Sequence, residues 1–221
     1  MPAKKVFIIN SDEATDKMFL SMKWEIVSNP TQADIFQFTG SGNSDVDPAL
    51  YNELQHKATF TDPGRDKQEA IYYKIAKQRG IPMAGICRGA QFLCVMNGGW
   101  CWQHVNNHDN KEHYVTDWDT GEIYLANSVH HQMMRLPRNR ATILATAGEA
   151  TWKEWVNSRG NECTFTCNPK HVADPEVVLF KDTKCLCVQY HPEYSGWSAL
   201  VSRYFNLIEQ HLFSKEESCA A

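Results

Sequence analysis

One heptapeptide restricts the fold of this chain more than any other stretch: Gly85-Ile86-Cys87-Arg88-Gly89-Ala90-Gln91. It follows the apolar run Ile81-Pro82-Met83-Ala84 and precedes a helix-like segment at 92–97. A strand, a sharp glycine-flanked turn with a nucleophile at its tip, and then a helix together describe a nucleophile elbow, here with cysteine in the serine position. The glycines are a steric requirement, because the turn strains its central residue and crowds its neighbours. The geometry sets the Cys87 sulfur at a helix N-terminus, where the dipole favours thiolate, the form that attacks a carbonyl.

Such an elbow needs a base. Cys185-Leu186-Cys187-Val188-Gln189-Tyr190-His191-Pro192-Glu193 offers one, since a short apolar strand ends at His191 with Glu193 two residues on. Parallel α/β sheets carry their chemistry at the C-terminal strand edge, where Cys87 and His191 can meet. His191 would then take the thiol proton, and Glu193 would orient the ring. Taken singly, a buried cysteine is more often a small hydrophobe, and a histidine at a strand end more often structural.

Gly-Ile-Cys-Arg-Gly-x-Gln with a later Val-Gln-Tyr-His-Pro-Glu resembles the class I glutamine amidotransferase superfamily. Within it the chain is most similar to the γ-glutamyl hydrolase branch, which includes the γ-glutamyl-γ-aminobutyrate hydrolases and is grouped as peptidase C26-like. Three further segments carry the resemblance: Thr39-Gly40-Ser41-Gly42 leading to Asp45-Val46-Asp47-Pro48, Asp62-Pro63-Gly64-Arg65-Asp66, and Asn127-Ser128-Val129-His130-His131-Gln132. The chain departs from the family after the elbow. Where the family continues Gly-Gly-Thr-Leu-x-Gln-Asp, Gly98-Gly99 leads into Trp100-Cys101-Trp102-Gln103-His104. Asp174-Pro175-Glu176 is the nearest counterpart of the family's acidic segment before the last strand, and 151–171 has no counterpart.

The resemblance implies attack by Cys87 on a γ-carboxamide, a γ-glutamyl thioester, and hydrolysis through His191. The N–H of Arg88, the residue after the elbow nucleophile, is one expected oxyanion donor. The Ser41 N–H, in the Gly40–Gly42 loop, is the expected second. Gln91 would contact the glutamyl end of the substrate, with a plain helix-surface glutamine as the alternative. His130 would line the opposite wall, or else pack as a turn histidine. Gly40 is placed in the substrate site. Arg65 and Asp66 are read as tying down a helix start. Three functions stay open: a free-standing γ-glutamyl amide hydrolase, a glutaminase subunit feeding ammonia to a separate synthetase or ligase, and an inactive binding scaffold. The aromatics Trp100, Trp102, Trp152, Trp155 and Phe165 are expected either to rim the pocket and select the leaving amine or to form a covering apolar cluster.

Composition agrees with a globular enzyme. With 221 residues, the chain suits one α/β domain, taken as 1–213 with a frayed tail at 214–221. A hydrophobic share of 43% supplies a core, and the net charge of −4 offers nothing for nucleic acid. Arg135, Arg138 and Arg140 read as a solvated turn. No run approaches the ~20 apolar residues of a membrane span. With no leader pattern before Lys4-Lys5, the eight cysteines are expected as thiols in a reducing cytoplasm. Neither Cys163/Cys167 nor Cys185/Cys187 has zinc-knuckle partners, so no metal and no cofactor is expected.

Strands are expected at 5–9, 24–27, 34–38, 81–86, 121–126 and 140–147, with a hairpin of 176–181 and 185–190. Helices are expected at 66–79, with Gly80 as its stop, and after 197. The strand–helix alternation argues for a parallel sheet. The expected fold is α/β: a flavodoxin-like three-layer sandwich with a mostly parallel central sheet, helices on both faces and a small antiparallel addition.

Overall fold

The computed structural model describes residues 3–40, 42, 44–109, 111–167, 173–194 and 198–214. Ser41, Trp197 and nearly all of the expected tail lie outside the described residues.

The chain runs β1 (Lys5–Ile9), α1 (Glu13–Ser21), β2 (Glu25–Ile26), β3 (Ile35–Phe38), α2 (Pro63–Arg79), β4 (Met83–Ile86) and α3 (Arg88–Met96). There follow β5 (Trp100–Trp102), β6 (His104–Val105), β7 (Lys111–Asp117), β8 (Ile123–Ser128), β9 (Met133–Arg135), β10 (Thr142–Ala147), β11 (Trp152–Val156) and β12 (Glu162–Thr166). The last elements are β13 (Asp174–Phe180), β14 (Cys185–Val188) and α4 (Ser198–Ile208). Nine strands form one sheet in the order β2-β1-β3-β4-β14-β13-β10-β7-β8. The first five are mutually parallel, and every pairing from β14 outward through β13 is antiparallel. Beside it lie a three-stranded sheet, β12-β11-β6, and a two-stranded one, β5-β9.

The α/β class expected from sequence is therefore the one observed. One face of the sheet packs Met18 and Phe19 of α1 with Leu200, Tyr204, Phe205 and Ile208 of α4. The other packs Tyr73 and Ala76 of α2 with Phe92 and Leu93 of α3. The apolar stripe of the last helix is core, as its three- and four-residue spacing implies.

On α2, helical spacing puts Ala70, Ile71, Lys74, Ile75 and Gln78 on one face with apolar members at one end, yet Ile71 is half exposed, and the buried positions are Arg65, Asp66, Glu69, Tyr73 and Ala76. Charge is buried here because it is paired. Arg88 of α3 binds both Asp66 and Glu69, and Arg65 Nε donates to Glu69 at 2.8 Å. Asp62 caps the helix by accepting from the Gly64 and Arg65 N–H groups, and Gly80 ends it at φ 67°. Arg65 and Asp66 thus hold structure together, as expected. Arg65 Nη2 also donates to the Thr39 carbonyl at 2.9 Å, which anchors the glycine-rich loop.

The segment at 151–171 contains the hairpin β11–β12, and β11 pairs in turn with β6. Arg135 is not a solvated turn residue. It pairs with Glu53, and its guanidinium lies 5.3, 5.1 and 5.3 Å from the rings of Trp100, Trp102 and Trp155.

Candidate active site

Three adjacent strands end together. β4 lies between β3 and β14, with Phe38 opposite Gly85 and Val188 opposite Ile86. The glycine-rich loop, Cys87 and the segment carrying His191 therefore leave the sheet at neighbouring C-terminal ends. The Cys87 N–H donates to the Val188 carbonyl at 2.8 Å, so the elbow hangs directly from the strand that delivers the histidine.

Cys87 has φ 49° and ψ −110° and stands at the N-terminus of α3. A non-glycine residue in that region is strained, and the neighbours must make room for it. A Cβ on Gly89 would lie 2.3 Å from the Phe38 carbonyl oxygen, so only glycine lets α3 start so close to β3. Gly40 is equally fixed. Its Cβ would stand 2.7 Å from His191 Cε1 and 3.0 Å from Cys87 Cβ, which places the loop directly against both the imidazole and the Cys87 side chain.

Cys87 lines the cavity beside His191 on one side. On the other, His191 Nδ1 lies 2.7 Å from Glu193 Oε1. Burial would lower its pKa, but the Cys87 sulfur and then the Glu193 carboxylate outweigh this and hold the ring well above the ordinary histidine value. Asn127 fixes the backbone here, since its Oδ1 accepts from the His191 N–H at 2.8 Å and its Nδ2 donates to the His191 carbonyl at 2.7 Å. Tyr194 stacks on the imidazole with ring centroids 4.6 Å apart.

These groups open into a cavity of about 400 Å³ lined by Gly40, Cys87, Arg88, Gln91, His130 and His191, among others. A larger hollow of about 620 Å³ between α1 and α4 touches Glu193 but has neither Cys87 nor His191 among its lining residues. Gln91 is buried rather than on the helix surface, and its Nε2 donates to the Gln132 carbonyl at 3.0 Å. His130 Nδ1 lies 2.7 Å from the same carbonyl, so Nδ1 carries the proton. Its Nε2 is buried with no hydrogen-bond partner among the described residues. Burial and then His108 push the His130 pKa well below the ordinary value, so it faces the cavity as a neutral ring. The Arg88 side chain is tied back to α2, while its backbone N–H belongs to the first turn of α3, where a helix has no acceptor of its own.

Cys87, His191, Glu193, Gly40, Gln91, His130 and Arg88 thus all meet at one site. The aromatics expected as a possible rim do not line the cavity. Trp102 packs against both Trp155 and Phe165, and Trp100, Trp102 and Trp155 stand around Arg135, the covering-cluster alternative. Sequence reasoning missed Asp45, Phe60, His131, Gln132 and Tyr194 as lining residues, and Asn127 as a positioning one. Asp45, Asn127, His131 and Gln132 stood inside quoted motifs and had a signal; Phe60 and Tyr194 had none.

A left-handed cysteine at a strand-to-helix elbow, coupled to His–Glu at the next strand end of an α/β sheet, is the arrangement of the class I glutamine amidotransferase superfamily. Within it the chain belongs to the Peptidase C26 family, whose family model matches residues 30–193. YvdE of Lactococcus lactis subsp. lactis, described as glutamine amidotransferase-like, is 27% identical over 173 residues, covering 69% of this chain and 64% of YvdE. The carbamoyl phosphate synthase small chain of Brucella ovis is 25% identical over 146 residues, covering 60% of this chain and 29% of its own. These matches span less than two thirds of the relatives' own lengths. A glutamine amidotransferase of Thermotoga maritima shares the fold at a TM-score of 0.60 and 15% identity, over 96% of this chain and 85% of that one. Family and relatives place the protein in a class of cysteine-type hydrolases and amidotransferases. No helix among the described residues is long and apolar enough to cross a membrane.

Proposed function

We propose that the protein is a cysteine-dependent hydrolase of γ-glutamyl amide bonds, in glutamine or in γ-glutamyl amines. The observation that carries this reading is that Cys87 and a His191–Glu193 pair stand side by side in one cavity, both against Gly40 of the glycine-rich loop.

The Cys87 sulfur attacks the γ-carbonyl carbon. The oxyanion is stabilised by the Arg88 N–H and by the loop at Gly40, with the Ser41 N–H as its second donor; one such donor is worth ~3 kcal/mol. His191 passes its proton to the departing amine as the C–N bond breaks, leaving a γ-glutamyl thioester. Water, deprotonated by His191, then releases glutamate and restores the thiol, while Glu193 keeps the ring oriented throughout. Gln91 and the lone pair of His130 Nε2 supply polar contacts for the glutamyl end. The seven described cysteines are all free thiols, which suits a cytoplasmic enzyme.

The likeness to a carbamoyl phosphate synthase small chain favours one second reading, an ammonia-donating subunit for a separate synthetase or ligase. Glutamate release from glutamine and a panel of γ-glutamyl amines, measured with the purified chain alone, separates the two. Rapid turnover of a γ-glutamyl amine supports the hydrolase. Slow turnover confined to glutamine supports the donor subunit. No glutamate from any of them, and no label on Cys87 from a γ-glutamyl electrophile, overturns both.

A further inference from the structure

Behind the His130 wall, three side chains from distant parts of the chain converge. His108 follows β6, His113 lies on β7 and Glu176 on β13. All are buried, and one donor atom from each lies within 4.8 Å of the others. Glu176 Oε1 stands 3.3 Å from His113 Nε2 and 3.9 Å from His108 Nδ1. Ligands held ~2.0–2.2 Å from one tetrahedral ion are separated from each other by roughly 3.4 Å, close to these values.

The hydrogen bonding around the cluster is incomplete in a telling way. Glu176 has no solvent exposure, and among the described residues neither of its oxygens makes a hydrogen bond. The ring nitrogens of His113 make none either, so its approach to Glu176 lacks hydrogen-bond alignment. A carboxylate so deeply buried needs a positive charge facing it.

His108 is oriented as a metal-bound histidine would be. Its Nε2 lies 3.1 Å from Asp174 Oδ2, an oxygen that also accepts from the Glu149 and Ala150 N–H groups. Asp174 Oδ1 accepts from Lys153 at 2.5 Å. That carboxylate acts as acceptor throughout, so Nε2 carries the His108 proton and Nδ1 is left as the lone-pair nitrogen. Ser128 Oγ lies 3.2 Å from Nδ1 but already gives its proton to the His108 carbonyl at 2.6 Å. A carboxylate on the far nitrogen of a ligating histidine fixes the tautomer and raises the basicity of the near one.

We propose that His108 Nδ1, His113 Nε2 and a Glu176 oxygen bind a divalent transition-metal ion. Two imidazoles and a carboxylate suit Zn²⁺, which is therefore the probe. Its role is structural. It ties the segment after β6 to β7 and β13, and His108 stacks on His130 with centroids 4.8 Å apart, so the ion braces one wall of the cavity. No short sequence motif announces it, because the ligands stand at 108, 113 and 176.

The test uses the full chain with Cys87→Ala, which removes a competing thiol beside His191. Protein from zinc-supplemented culture, dialysed and submitted to elemental analysis, is expected to retain about one Zn²⁺ per chain. A chelator should lower its melting temperature, and added Zn²⁺ should restore it. Glu176→Gln in the same background should lose the ion. Should that variant fail to fold, the Co²⁺-loaded parent decides: tetrahedral d–d bands without a thiolate charge-transfer band support the site. Zinc-free protein whose melting temperature ignores added Zn²⁺ overturns the proposal. So does an ion retained by Glu176→Gln, or a cobalt spectrum with thiolate ligation.

Discussion

The two halves of the large sheet are built by different rules. From β2 to β14 the strands are parallel, and their C-terminal ends hold the glycine-rich loop, Cys87 and the segment of His191. From β13 to β8, with the two small sheets, the strands are antiparallel, and beside their apolar residues this half buries a group of charged and titratable side chains: His108, His113, Lys153, Asp174 and Glu176. The parallel half places reacting atoms by steric exclusion, with glycines where any Cβ would collide. The antiparallel half shapes the opposite wall through paired charges, which hold position only while every partner is present. Chemistry is expected to be brittle in the first half and stability in the second.

Cys87→Ala is the sharpest break. With the nucleophile gone, turnover of the γ-glutamyl substrate should fall by about 10⁶-fold, and Glu193→Gln should lose less, ~10⁴-fold. Melting curves of both variants should match the parent. Residual turnover of Cys87→Ala within tenfold of the parent would remove the elbow from the mechanism altogether. Gly40→Ala belongs to the same half. The new methyl group meets His191 and Cys87 within 3.0 Å, so activity should fall about 10²-fold by misplacement, with a stability loss of ~1–3 kcal/mol.

Lys153→Met tests the other half. It leaves the buried Asp174 without its ammonium partner, and urea denaturation should register a loss of roughly 3 kcal/mol. In the fraction that stays folded, kcat should change far less than in Gly40→Ala. The reverse outcome, unchanged stability with abolished turnover, would show that the antiparallel half carries chemistry. Phe165→Ala, on the half-exposed face of the Arg135 cluster, should cost about 1 kcal/mol of stability and leave the ranking of γ-glutamyl amides as it was. A changed ranking would return substrate selection to these aromatics.

The contrast also explains what could be read from sequence. In the parallel half each motif is local: Gly85, Cys87 and Gly89 are contiguous, and the apolar runs of β1, β3, β4 and β14 are nearly all buried. Strand β7 gave no comparable signal. Its inward side chains include His113 and Val115, an alternation in which histidine takes the place of an apolar residue. β12 is exposed at nearly every position, so no hydrophobic period marks it. The buried face of α2 carries no hydrophobic period for the same reason, since Arg65, Asp66 and Glu69 are buried by pairing and not by hydrophobicity. His191–Glu193 was legible because both residues lie on one short segment. The role of Asn127 depends on a partner 64 positions away, and sequence spacing alone does not reveal such a pair.

One contact bridges the halves and should give the smallest effect. His131, after β8, lies 3.2 Å through Nε2 from Asp45 Oδ1, just beyond the glycine-rich loop. The Asp45 hydrogen bond raises the His131 pKa against burial, and the charges of Asp45 and Asp109 add to it. His104, whose ring is 5.8 Å away, is pushed down by burial, then by His131 and His56, and so faces His131 uncharged. A histidine raised on folding adds stability that is fully present below its unfolded value of about 6.5 and is lost as pH rises through the folded value. The imidazole is about one third exposed, which confines the gain to ~0.5 kcal/mol. His131→Gln should therefore be less stable than the parent at pH 5.5 to 6 and indistinguishable from it near pH 9, measured by denaturant unfolding at both. A difference that grows toward alkaline pH would mean that His131 packs as a neutral ring, and that the link across the cavity mouth is steric rather than ionic.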